Sequence, residues 1–289
     1  MDRRTFLGTM TAATVLGRRL AWAAGTHKID KVGLQLYTVR KFMPDDFEGT
    51  IAKVSEVGYK EVEFAGYFNH SPKDVRAILD RHGLTAPSVH TGYNTLGDKL
   101  PEVIETAKII GHEYVVNPAI DDSMRGTLDG WKKAAETFNR AGEICQKAGI
   151  QFAYHNHWWE FRPIDGKLPY DVLLESTHPK LVKMEMDLGW ITVGGQDPVK
   201  YFNLYPGRFP LVHVKDWTKV PPMPGPGSTF NMDDAPEMTS VGKGSVNWKR
   251  IFAQSDKAGI KHYFVEHDQP KDAFESIRIS YAYLSQVRF

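Results

Sequence analysis

The chain has 289 residues, enough for one large α/β barrel or two small domains. Its formal net charge of +1 provides no attraction for a polyanionic partner such as nucleic acid, and its single cysteine excludes an intramolecular disulfide. After the N-terminal segment, no run approaches the roughly 20 apolar residues of a membrane span, so we expect neither a nucleic-acid nor a membrane partner.

The first 23 residues resemble a bacterial twin-arginine signal. Arg3 and Arg4 precede a mildly apolar stretch over residues 6–16, and Ala21 and Ala23 are small residues at the spacing of a cleavage site. The segment 1–23 carries four arginines and one aspartate, so its removal changes the net charge from +1 to −2. We therefore predict an exported, periplasmic protein.

Short apolar runs then alternate with longer amphipathic ones, and glycines end several of them. The predicted strands cover residues 32–37, 61–64, 85–90, 114–117, 151–157, 181–187, 209–215 and 261–266. The predicted helices cover residues 46–57, 71–82, 100–110, 128–148, 170–177, 198–205, 246–258 and 272–287. Eight strand–helix pairs predict an α/β protein with a single-domain (β/α)8 TIM barrel over residues 30–289. No G-x-G-x-x-G follows the first strand, which disfavours a dinucleotide-binding sheet.

One long irregular stretch, residues 218–244, follows the seventh predicted strand. It is rich in proline, glycine and methionine. In a barrel this segment lies over the mouth, where loops of this length act as lids, binding loops or subunit contacts. Self-association therefore stays open.

Polar side chains lie at the carboxyl ends of most predicted strands, and in a barrel these ends converge on one mouth. Buried carboxylates are costly unless they are paired or bind a metal, and a mixture of Glu, Asp and His suits Mn²⁺, Zn²⁺, Co²⁺ or Mg²⁺. The sequence has no H-E-x-x-H helix and no G-x-S-x-G nucleophile turn. The polar strand ends are Glu63, His90, Asn117, His155, His157, Glu160, Asp187, His213, Lys215, Asp216, Glu266, His267 and Asp268.

Four short motifs occur in order on the last four strands. They are YHNHWWEF at 154–161, MDLGW at 186–190, VHVKD at 212–216 and VEH at 265–267. Together they resemble the sugar phosphate isomerase/epimerase family, which has the xylose-isomerase-like barrel. The resemblance covers about residues 30–289. It implies one divalent metal ion, for which we favour Mn²⁺, and a small carbohydrate substrate.

The resemblance also implies one metal ligand from each of strands five to eight. Asp187, His213 and Glu266 match the last three positions. Strand five departs from the family, because Tyr154-His155 stand where many members carry a glutamate. We favour Glu160 as the fourth ligand, with His155 or His157 close to the metal. Either histidine could also be the fourth ligand instead of Glu160.

In the family, paired glutamates move a proton through an enediolate, and Glu266 is the matching candidate here. The strand-five departure makes His155 or His157 the candidate base, since histidine titrates near neutral pH. The chain also resembles a family branch with a similar His-Asn-His strand, and this resemblance implies cleavage of 3-keto-glycosides by β-elimination. Both reactions begin with the same proton abstraction.

We therefore predict a metal-dependent sugar isomerase or epimerase, with a 3-keto-glycoside lyase as the alternative. An endonuclease IV-like nuclease is disfavoured by the slightly acidic mature chain, and a non-catalytic carbohydrate-binding barrel by the intact ligand positions. The predicted substrate-binding residues are Glu63, His90, Asn117, Lys215 and Trp190.

Overall fold

Eight parallel strands close into a barrel in the computed structural model, which describes residues 27–219 and 236–289. The strands follow chain order around the barrel, and the last barrel strand pairs with the first. The predicted (β/α)8 fold is confirmed. The twin-arginine segment lies outside the described residues, so export stays a prediction. Among the described helices, none is long and apolar enough to span a bilayer.

The strands and helices alternate along the chain as predicted. The strands are β1 (Val32–Gln35), β2 (Glu61–Phe64), β3 (Thr85–His90), β4 (Tyr114–Asn117), β5 (Gln151–His155), β6 (Val182–Asp187), β7 (Leu211–Val214), β8 (Asp216–Trp217), β9 (Met238–Thr239) and β10 (His262–Val265). The helices are α1 (Phe47–Val57), α2 (Pro72–Arg81), α3 (Leu100–Ile110), α4 (Leu128–Lys147), α5 (Pro169–Ser176), α6 (Leu188–Val193), α7 (Pro198–Leu204), α8 (Trp248–Phe252), α9 (Ser255–Ala258) and α10 (Ala273–Leu284). β8 and β9 form an antiparallel ribbon outside the barrel.

Local signals explain where the helices begin and end. The Ser71 side chain accepts a hydrogen bond from the Asp74 backbone N–H, and Pro72 occupies the first turn of α2. α1 ends at Gly58, whose φ of 118° is left-handed. A Cβ at Gly58 would lie 2.4 Å from the Tyr281 ring, so both the backbone and the packing require glycine there.

The barrel interior is apolar in its middle and polar at its mouth. Val116, Ala153, Leu211 and Phe264 belong to a small buried cluster separate from the main core between strands and helices. Because side chains alternate along a strand, the interior-facing positions two residues further on from Ala153, Leu211 and Phe264 lie at the carboxyl end. Those positions hold the histidines and the carboxylate described below.

The structure differs from the sequence predictions mainly near the mouth. β5 ends at His155, so His157 lies in the following loop. The short helix α6 begins directly after β6, because the Asp187 carboxylate accepts a hydrogen bond from the Trp190 backbone N–H at 2.7 Å. The predicted helix over 246–258 is two short helices, α8 and α9.

Asp216 anchors the loop that leads from the ribbon to α8. Its buried carboxylate accepts hydrogen bonds from the backbone N–H groups of Gly242, Gly244 and Val246, and from the Trp248 indole. Asp216→Ala leaves these donors without their acceptor, so we expect the free energy of unfolding to fall by roughly 3 kcal/mol or more. Denaturant unfolding measures the change.

The matched control is Asp98→Ala, which removes an exposed aspartate. This variant should stay within about 0.5 kcal/mol of the parent, as surface substitutions usually do. Equal stability of the Asp216→Ala and Asp98→Ala proteins would contradict the anchoring role.

Candidate metal centre

Four interior side chains from successive strands meet at the barrel mouth. They are His155 at the end of β5, Asp187 at the end of β6, His213 on β7 and Glu266 just after β10. One ligand atom of each lies within 4.8 Å of those of the other three, and all four residues are buried. Three of them are the ligands expected from the sequence, and His155 was one of the open choices for the fourth.

Glu185 forms a second group with histidines and was missed by the sequence analysis. Its ligand atom clusters with those of His90, His155 and His213. Glu185 Oε2 lies 2.7 Å from His90 Nε2 and 3.2 Å from His155 Nδ1. The signal for Glu185 was strand periodicity: it precedes Asp187 by two residues and therefore faces the same side of β6.

His213 is held by carboxylates at both ring nitrogens. Its Nδ1 lies 2.7 Å from Glu266 Oε2, and its Nε2 lies 2.7 Å from Glu63 Oε1 and 3.3 Å from Glu185 Oε2. Burial lowers the pKa of His213, but the negative charges of these three neighbours outweigh it and raise the pKa well above its usual value. The ring orientation is thus set from both sides.

Glu63 is a buried carboxylate that accepts several hydrogen bonds. It accepts hydrogen bonds from Gln35 Nε2 at 2.7 Å and from the Ser88 hydroxyl, besides its contact with His213. Burial favours the neutral form, yet His90 and His213 bring the pKa of Glu63 well below its usual value. Burial lowers the pKa of His90, but Glu63 and Glu185 raise it to about 9.

Lys215 carries a positive charge into the same cluster. Its ammonium lies 2.8 Å from Glu266 Oε2, 2.8 Å from Asp268 Oδ1 and 3.2 Å from Asp187 Oδ2. Burial lowers the pKa of Lys215, but the three carboxylates raise it well above its usual value. The positive charge of this buried lysine is thus balanced by three carboxylates.

The four-residue cluster fits a divalent metal ion. Two imidazoles and two carboxylates are a suitable donor set for such ions. Asp187 Oδ2 is buried and accepts no hydrogen bond from the described residues; the Lys215 ammonium lies 3.2 Å away, and His155 Nε2 and His213 Nδ1 lie 3.9 Å away. This one lysine is shared with Glu266 and Asp268, and Glu185 Oε1 is also buried without a hydrogen-bond partner among the described residues. Buried carboxylates are costly unless they are paired or bind a metal, so a further cation would stabilise the cluster. His155, Asp187, His213 and Glu266 are therefore the residues that would hold the ion.

A cavity of about 520 Å³ opens above this cluster. His157 lies in its wall, with its ring stacked on Trp159 at 4.2 Å between centroids. Within the described part of the chain, His157 Nδ1 has no hydrogen-bond partner. The residues that line the cavity are Tyr37, Arg40, Ala65, His90, Thr91, Gly92, Pro118, Ala119, His155, His157, Trp159, Lys215, Glu266, Asp268 and Gln269.

Comparison with known proteins identifies the family of the barrel. The profile of the xylose isomerase-like TIM barrel family matches residues 51–283. This chain belongs to that family.

The curated relatives of this xylose isomerase-like barrel include several dehydratases. It is 27% identical over 188 residues to an inosose dehydratase from Geobacillus kaustophilus, an alignment that covers 57% of this chain and 60% of that protein. It is 27% identical over 192 residues to an inosose dehydratase from Lacticaseibacillus casei, covering 59% of this chain and 63% of that protein. The chain thus aligns with less than two thirds of the length of these relatives.

Solved structures extend the likeness over most of the barrel. A sugar phosphate isomerase/epimerase from Parabacteroides distasonis is 28% identical, with a TM-score of 0.71 and coverage of 90% of this chain and 95% of that one. An IOLI protein with a bound zinc atom is 15% identical, with a TM-score of 0.67 over 86% of this chain and 95% of that one, and shows the shared fold alone. The comparisons together support a carbohydrate-processing enzyme.

Glu160 lies outside both groups of candidate ligands in this xylose isomerase-like barrel. Its carboxylate accepts hydrogen bonds from the Tyr154 hydroxyl at 2.5 Å and from the His157 backbone N–H at 2.9 Å. Burial raises the pKa of Glu160 to about 7, although the hydrogen bond from Tyr154 lowers it. The expected ligand role of Glu160 stays a prediction, and the contacts show it instead holding the start of the loop that carries His157.

The two asparagines near the mouth bind backbone groups. Asn117 Nδ2 donates a hydrogen bond to the Thr91 carbonyl at 2.9 Å. Asn156 Oδ1 accepts one from the Asp187 backbone N–H at 3.2 Å, and Asn156 Nδ2 donates to the Asp187 carbonyl at 3.4 Å. Asn156 therefore faces away from the cavity and positions the strand that presents Asp187.

Proposed function

We propose that this chain is a divalent-metal-dependent enzyme that removes the proton next to the carbonyl of a keto-sugar, with β-elimination as the outcome. The observation that carries the proposal is the buried cluster of His155, Asp187, His213 and Glu266 beneath an open cavity. A divalent ion held there, for which we favour Mn²⁺, would polarise the sugar carbonyl and stabilise the charge of the enolate.

His157 is the proposed base. It lines the cavity but does not belong to the ligand cluster, so its ring is not consumed by metal binding. Its Nδ1 accepts no hydrogen bond from the described residues. Burial and the nearby Lys215 ammonium bring its pKa well below the usual value, which favours the neutral, proton-accepting form. Trp159 stacks on the ring and sets its plane.

Lys215 is the proposed proton donor to the leaving oxygen. Its ammonium lies in the cavity wall, fixed by Glu266 and Asp268 at 2.8 Å each. In the elimination, the electron pair of the C–H bond becomes the new C=C bond. The C–O bond to the leaving group breaks, and its oxygen takes up a proton. The reaction needs no oxidant or reductant, so these two side chains supply the acid and base that it requires.

Two outcomes share the first step, and each has support. The inosose dehydratase relatives favour elimination, since a dehydratase removes water from its substrate. The 28% identical Parabacteroides distasonis structure favours isomerisation or epimerisation as the second candidate. The lysine placed to protonate a leaving oxygen is the reason to rank elimination first.

Nuclear magnetic resonance in D₂O separates the outcomes. The metal-loaded protein is incubated with methyl 3-keto-β-glucoside, with a panel of ketoses, and with methyl β-glucoside as a control that has no carbonyl. Elimination releases methanol and leaves an unsaturated keto-sugar, whereas isomerisation brings solvent deuterium into a ketose without methanol. If no carbonyl compound exchanges or reacts, the proposal is wrong.

A further inference from the structure

A second cavity, of about 700 Å³, adjoins the cavity above the metal cluster. Asp268 and Gln269 line both cavities, so the two lie next to each other at these residues. Both volumes fall within the range of about 300–1,000 Å³ that is usual for small-molecule sites. The proposed reaction at the first cavity occupies one sugar ring and leaves the second cavity unassigned.

Two tryptophans form an aromatic wall of the second cavity. Trp190 and Trp217 meet in a T-shaped contact with 4.9 Å between ring centroids. Gly189 allows this packing, since a Cβ there would lie 2.9 Å from Trp217 Nε1 and 2.6 Å from Lys215 Cβ. Aromatic faces of this kind pack against the C–H faces of sugar rings, and their N–H groups donate hydrogen bonds.

Both indole N–H groups need an acceptor. Trp190 and Trp217 are 6% and 2% exposed, and in residues 27–219 and 236–289 neither Nε1 has a hydrogen-bond partner. Two buried donors without acceptors are unusual in one place, because each costs free energy. Because both Nε1 atoms are buried, what the aromatic wall offers a ligand is its ring surface.

The charges around the second cavity disfavour an anionic ligand. Four carboxylates and one lysine line it, and the lysine, Lys271, is 3.6 Å from Glu237. Carboxylates repel a phosphate group but accept hydrogen bonds from hydroxyls. The lining carboxylates are those of Glu237, Asp268, Asp272 and Glu275.

The junction of the two cavities lies at the proposed proton donor. The Lys215 ammonium is 2.8 Å from Asp268 Oδ1 and 5.2 Å from the centre of the Trp190 ring. An oxygen bonded to a ring in the first cavity and protonated by Lys215 would therefore carry its other substituent toward the second cavity.

We propose that the second cavity binds the leaving group of the substrate, and that this group is an unphosphorylated second sugar ring. The substrate class is then a keto-disaccharide. The inference rests on the proposed function for the position of the reacting ring, but its test does not depend on turnover.

Calorimetric binding to the metal-loaded protein tests the subsite with ligands that cannot react. Glucosyl-glucoses of several linkages are each compared with the methyl glucoside of the same anomeric configuration. Neither has a carbonyl, so no proton abstraction occurs. We expect at least one disaccharide to bind about tenfold more tightly than its methyl glucoside, which corresponds to about 1.4 kcal/mol.

Thr239→Trp fills the second cavity, because Thr239 lies in its lining on β9. In this variant the dissociation constants of the disaccharide and of its methyl glucoside should become about equal, so that their ratio is about one. Lys132→Trp, which adds an indole on the exposed face of α4 at a position that lines neither cavity, should keep the ratio of the parent. Trp217→Phe keeps an aromatic ring but reduces the area of the aromatic wall, and should lower the ratio even if the Thr239→Trp protein does not fold.

Three results would overturn the inference: no disaccharide binds more tightly than its methyl glucoside, the preference survives Thr239→Trp, or phenyl β-glucoside exceeds every disaccharide. The last would assign the cavity to an aromatic leaving group. If no carbonyl compound exchanges deuterium or reacts, but a disaccharide still binds more tightly than its methyl glucoside, the proposed reaction is wrong and the subsite remains.

Discussion

Asp187→Asn should reduce the bound metal from about one ion per chain to a small fraction, and turnover should fall at least about 100-fold, because the proposed ion supplies several kcal/mol of charge stabilisation. The substitution removes the negative charge at Oδ2 but keeps an oxygen that can accept from the Trp190 backbone N–H. Elemental analysis and the methanol-release assay measure the two effects on the same sample.

Asp187→Ala separates ligand loss from loss of the helix cap. It should lose metal as Asp187→Asn does, and it should also unfold more easily by about 1 kcal/mol, since α6 loses its N-terminal acceptor. Asp98→Ala is the control for removing an exposed aspartate. Full metal content in Asp187→Asn would refute the ligand assignment.

His157→Ala should lower turnover about 10²–10⁴-fold while the protein keeps its metal, which is the effect expected on removing a general base. His155→Ala should instead lose metal, because His155 belongs to the four-residue ligand cluster. Metal content and deuterium exchange into methyl 3-keto-β-glucoside, measured for both variants, distinguish the two roles.

Added imidazole provides an independent measure for the base. It should restore part of the exchange activity of His157→Ala, since the space left beside Trp159 can admit a small base. It should not restore His155→Ala, whose defect is in metal retention. Equal loss of metal in the two variants, or parent-level exchange in His157→Ala, would remove His157 from the proposed mechanism.

Several site residues could be predicted because strand ends in a barrel converge whatever their partners are. Asp187, His213 and Glu266 close or follow β6, β7 and β10, and their meeting follows from the topology alone. Glu185 was not predicted because it lies within β6, two residues before its end, and only strand ends were expected to meet at the mouth. Glu160 was favoured for its distance along the chain, whereas its contacts with Tyr154 and the His157 backbone depend on how the loop after β5 turns.

The sequence by itself determined the alternation of strands and helices, because apolar periodicity, capping residues and glycine stops act within a few residues of the chain. The bounds of β2, β3, β4 and α3 agree with their predictions for that reason. Only the tertiary structure decided the fourth member of the ligand cluster, the position of Lys215 among three carboxylates, and the cavity beside Trp190 and Trp217. These depend on contacts between residues far apart in the chain, whose distances follow from barrel closure and side-chain packing rather than from local sequence.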